Sequence, residues 1–75
     1  MADPRWVLGN SLRDLESDIN DCERIVANGG RPSYDLLGTL RVNLEVSEGN
    51  LNVATSSQAI QFDELQKRAR QILKK

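Results

Sequence analysis

The chain reads as all-α: an antiparallel helical hairpin with a third C-terminal helical segment, either folded back or continuous with helix two. Three observations predict it. Apolar residues recur at three- and four-residue spacing along most of the 75 residues. One strong break, Asn28-Gly29-Gly30-Arg31-Pro32, divides that pattern. No stretch shows the alternation of a strand. The length allows a single small helical domain, 1–75, with helix one at about 11–28, a turn at 29–32, helix two at about 33–54 and a C-terminal helix at about 58–74.

Asp3-Pro4 has the form of an N-cap followed by proline in a first turn, so a short helical piece carrying Trp6 is expected there. Gly9-Asn10 weakens it, and Ser11 offers a second start. Beyond that, Leu8, Leu12, Leu15, Ile19, Cys22 and Val26 alternate by four and three residues and form a heptad seam. Asn28-Gly29 is a C-cap in which glycine adopts the left-handed conformation. Ser33 caps helix two, and Asp35 lies in its first turn. So short a connection favours antiparallel neighbours.

Helix two carries two apolar stripes. One is Leu37, Leu40, Leu44, Leu51 and Ala54; the other is Val42, Val46 and Val53, with Leu36 between them. At roughly 100° per residue the two sets lie about 160° apart. A helix that is apolar on two sides must bury two sides. The Leu side completes the hairpin seam. The Val side has two possible covers: the chain's own Phe62, Leu65, Ala69 and Ile72 stripe, or another protein. On the second reading Leu36, Val42, Val46 and Val53 are partner-binding residues. Trp6 joins them as a hot spot, or else caps the open end of the hairpin. Gly38 and Gly49 are either tolerated or allow another backbone to approach.

Thr55 and Gln58 are spaced as a capping box for the third segment. The Leu stripe nonetheless stays in phase past residue 54, so one long helix from Ser33 to Lys74 is a competing expectation. Acidic residues concentrate between Asp14 and Glu23, and basic ones from Lys67 onward. Such segments attract one another in an antiparallel arrangement, or steer a charged partner.

Composition narrows the function. The net charge is −1, from ten basic and eleven acidic residues, which argues against a nucleic-acid module. There is no histidine, the commonest general base, and an enzyme is not expected. Cys22 is the only thiol and sits on the seam, where acidic neighbours raise its pKa; it reads as a packing residue. One cysteine without histidine excludes zinc-finger spacing, and the acidic run lacks the glycine of a calcium loop. No cofactor is expected. Neither a signal pattern nor a membrane-length apolar run is present, and a lone thiol suits the cytoplasm.

The run Asp21-Cys22-Glu23-Arg24-Ile25-Val26-Ala27-Asn28-Gly29-Gly30-Arg31-Pro32, with Tyr34 and Leu44-Glu45 beyond it, resembles the small subunits of type III secretion needle chaperones, the YscE, PscE and SsaE type. The resemblance spans roughly residues 11–54. It implies a bacterial, cytoplasmic, non-catalytic helical hairpin. Its partner would be a larger tetratricopeptide-like chaperone subunit, and the pair would hold the needle protein monomeric before export. Surplus apolar surface also fits a different outcome, a homo-oligomeric coiled coil or helical bundle.

Overall fold

A computed structural model describes residues 3–74. It contains α1 (Pro4–Ala27), α2 (Tyr34–Gly49), a single 3-10 turn at Leu51–Val53, and α3 (Ser56–Leu73), with no strand among the described residues. The hairpin of α1 and α2 forms as expected, and α3 folds back onto it.

Helix α1 starts earlier than residue 11. The Asp3 carboxylate accepts the Arg5 N–H at 2.9 Å, and Pro4 occupies the first turn. The helix then runs straight through Gly9-Asn10. Glycine costs about 1 kcal/mol there, but Leu8, Ser11 and Leu12 are all buried, and burying a leucine contributes about 1.5–3 kcal/mol. Tertiary burial outweighs the local break.

The other end of α1 closes in a Schellman motif. Gly29 has φ 84°, its N–H donates to the Val26 carbonyl at 3.0 Å, and the Gly30 N–H donates to the Ile25 carbonyl at 2.9 Å. A Cβ on Gly30 would lie 3.1 Å from Ile25 Cγ2, so both glycines have a structural reason. The Ser33 hydroxyl then accepts the Leu36 N–H at 3.1 Å and opens α2.

Helix α2 ends at Gly49, not near residue 54, and one continuous helix to Lys74 does not form. Three local features combine. Gly49 is a weak helix former. The Asn50 side-chain amide donates to the Val46 carbonyl at 2.8 Å, satisfying a carbonyl near the helix end. After the 3-10 turn, Thr55 starts α3 with the expected reciprocal capping box: Gln58 N–H to Thr55 Oγ1 at 3.1 Å, and Thr55 N–H to Gln58 Oε1 at 3.0 Å. The chain reverses, leaving α3 antiparallel to α2 and parallel to α1.

The core is centred on α1. Leu8, Leu12, Leu15, Ile19 and Cys22 supply five of the nine buried hydrophobic residues; Leu40 comes from α2, and Phe62, Leu65 and Ala69 come from α3. Leu36, Leu37, Leu44, Leu51, Val53, Ala54, Ile72 and Leu73 pack against this cluster while partly exposed. Polar groups between α1 and α2 are paired. Ser47 Oγ donates to Ser11 Oγ at 2.9 Å, and Ser11 Oγ donates to the Leu8 carbonyl at 3.0 Å. Asn43 donates to the Asp18 carboxylate at 2.8 Å. Partial burial pushes the Asp18 carboxyl above its ordinary range; the Asn43 hydrogen bond opposes this, and Asp14 and Asp21 add to it.

Two stability measurements follow. Leu15→Ala should lose about 2–5 kcal/mol in urea titration, enough to unfold much of a bundle this small. Asp18→Asn keeps an oxygen to accept from Asn43 and removes the charge. Because the folded pKa of Asp18 is raised, its contribution to stability is complete below the unfolded pKa and is lost as pH rises through the folded value. Asp18→Asn should therefore raise the melting temperature at neutral pH, with the gain vanishing in acid.

Candidate protein-docking surface

The outward side of α2 is left uncovered. Helix α3 folds back, yet it packs on the Leu side with α1, so Val42 remains 57% exposed. Val46 is half-buried and outside the core cluster. Tyr34, in the first turn of α2, is 93% exposed. A Cβ built on Gly38 or Gly49 meets nothing within 4 Å, so no other segment of this chain approaches α2 there.

Two residues expected on that side lie elsewhere. Leu36 packs against the core because it borders the Leu stripe. Val53 packs against the core because the break after Gly49 removes it from the phase of α2. Trp6 is 67% exposed near the start of α1, at the end of the bundle remote from the Gly-Gly turn.

The seam is buried at Leu12, Leu15, Ile19, Cys22 and Leu40, and half-buried at Leu37, Leu44 and Leu51. Val26 departs from it, being 42% exposed. It continues the heptad into a layer that has no cover. Above Cys22, Leu40 and Ala69, the next apolar layer lines an open notch of about 860 Å³ instead of filling the bundle. Its floor contains Val26, Ala27, Leu37, Ile72 and Leu73. Arg31, Arg41 and Arg68 stand around it, with Glu23 and Tyr34. Sequence periodicity missed the notch because its walls come from three distant segments. The available signal was that Val26 is the last seam residue before a turn.

The rim is electrostatically uneven. Arg68 grips α1: its Nε donates to Glu23 Oε2 at 3.2 Å, and its Nη2 donates to Glu23 Oε1 and to Asn20 Oδ1, the latter at 2.8 Å. This fork holds the Glu23 carboxyl below its usual range and raises the Arg68 pKa. Arg31 and Arg41 make no ion pair among the described residues. The expected attraction between acidic α1 and the basic tail is thus realised at one point, between parallel helices and not antiparallel ones.

Cys22 is fully buried, and burial first, then Asp18, Asp21 and Glu23, push its thiol upward, away from the reactive thiolate. Among the described residues no three acidic or cysteine side chains gather in a way that would hold a metal ion. No described helix is long and apolar enough to cross a membrane. The surface around the notch offers apolar area, cations and a tyrosine. Comparison with protein families, curated proteins and solved structures finds no match to this chain.

Glu23→Gln should lower stability by less than about 1 kcal/mol at neutral pH, since both partners are substantially exposed. The folded pKa of Glu23 is depressed, so its contribution is present above the unfolded pKa and lost as pH falls through the folded value. Urea midpoints of wild type and Glu23→Gln should accordingly converge in acid, opposite in sign to Asp18→Asn.

Proposed function

We propose that this chain is a non-enzymatic co-chaperone or assembly subunit that binds a larger helical partner. The partner is a tetratricopeptide-like chaperone subunit in the cytoplasm, and the pair helps keep a type III secretion needle protein soluble and monomeric before export. One observation carries this reading: the chain spends its third helix on the Leu side of α2, and Tyr34 and Val42 stay exposed on the outward side. The resemblance of the Asp21–Pro32 turn region to needle-chaperone small subunits points to the kind of partner. Burying Val42 and the rest of Val46 contributes on the order of 1–3 kcal/mol before association costs.

A second reading has support from the same face. Gly38 and Gly49 leave the α2 backbone open beside Val42, which fits α2 of a second copy across a two-fold axis. Co-expression separates the two. The chain should co-elute with the tetratricopeptide chaperone of a type III secretion system from its own genome. Val42→Asp should abolish co-elution while circular dichroism and thermal midpoint stay close to wild type, since an exposed substitution costs within about 0.5 kcal/mol. Co-elution that survives Val42→Asp counts against this face as the interface. A tight homodimer by sedimentation, with no hetero-complex, selects the second reading.

A further inference from the structure

We infer that the notch at the Gly-Gly turn is the seat of an acidic amphipathic helix supplied by a partner protein. The inference deepens the co-chaperone reading and rests on it for the partner's identity; the chemistry of the seat stands on the notch itself.

The notch is an unfinished core layer. Inside the bundle Cys22, Leu40 and Ala69, one each from α1, α2 and α3, are at no exposure. One turn further, Val26 is 42% exposed, while Leu37, Ile72 and Leu73 are only half-buried. A volume of about 860 Å³ accommodates several aliphatic side chains from one further helix. Such a helix would present residues at i, i+3, i+4 and i+7, the spacing by which helices fill grooves.

Charge selects the flanks of that helix. Arg31 leaves the turn and Arg41 lies on α2, both lining the notch and neither engaged in an ion pair among the described residues. Arg68 is already held by Glu23. The wall thus offers two unneutralised guanidiniums beside an apolar floor, matching carboxylates that flank an apolar stripe. The extended C-terminal end of α3 adds Arg70 and Lys74 on the same end of the bundle, which steers an acidic segment toward it. A membrane surface fits less well, because Glu23 lines the same notch and the chain as a whole carries net charge −1.

The test uses the full chain and two fluorescein-labelled synthetic helices with the same leucine stripe, one flanked by glutamates and one by lysines. Fluorescence anisotropy should show the glutamate peptide bound about tenfold or more tightly than the lysine peptide at low salt, with the difference shrinking as salt is added. Arg31→Glu/Arg41→Glu should reverse the preference, and Val26→Asn should weaken both peptides. In the wild-type chain, amide resonances of Val26, Ala27 and Leu73 should move on titration, a measurement that needs no variant to fold. Equal binding of the two peptides, resonance shifts confined to α2's outward face, or binding of phosphatidylglycerol vesicles in place of the peptide would overturn the seat. Peptide binding at the notch with no tetratricopeptide complex sinks the co-chaperone reading alone. A complex indifferent to the Arg31→Glu/Arg41→Glu change, with no peptide preference, sinks the seat alone.

Discussion

A single apolar stripe on α1 must serve two helices at once. Leu8, Leu12, Leu15, Ile19 and Cys22 are essentially without exposure, and both α2 and α3 depend on them for burial. A hairpin alone would cover one flank of that stripe. The return of α3 covers the other with Phe62, Leu65 and Ala69. The consequence for α2 is decisive: its Leu side packs on the shared core, and none of the described helices covers its Val side. The exposure of Val42 is therefore a result of how α1 is shared.

The reversal that makes sharing possible depends on a short segment. Between Gly49 and Thr55 the chain exchanges helical hydrogen bonds for the Asn50–Val46 contact, a 3-10 turn and the Thr55–Gln58 box. The box was readable in the sequence, as were the Asn28-Gly29 cap, the Ser33 cap and the Asp3-Pro4 start, because each depends on residues within one turn. The end of α2 was not readable from periodicity. Leu51 and Ala54 keep the helical phase of Leu37, Leu40 and Leu44, so the pattern continues across the place where the backbone turns. The continuity of α1 was not readable for the converse reason: Gly9-Asn10 is a local break, and the tertiary burial of Leu8 and Leu12 carries the helix across it.

The docking surface divides along the same line. The place of Val42 opposite the Leu side was legible from helical phase alone, but its exposure depends on α3 packing beside α1 and not over it. Val53 and Leu36 were misplaced because their burial depends on the turn after Gly49 and on how α2 sits over α1. The notch was invisible to a one-dimensional reading, since Val26, Leu37 and Ile72 meet only after two reversals of the chain.

Segregation of charge adds a constraint that packing does not supply. The basic tail of α3 runs parallel to α1, so its cations reach only the last part of the acidic stretch, where Glu23 and Asn20 receive Arg68. Asp14 and Glu16 make no ion pair with Arg31, Arg41 or Arg70 among the described residues. The turn end of the bundle combines an open apolar layer with Arg31 and Arg41, which no ion pair among the described residues engages. In a bundle about 39 Å long, held by nine buried hydrophobic residues, a further helix bringing carboxylates and aliphatic side chains would answer both shortages at one place.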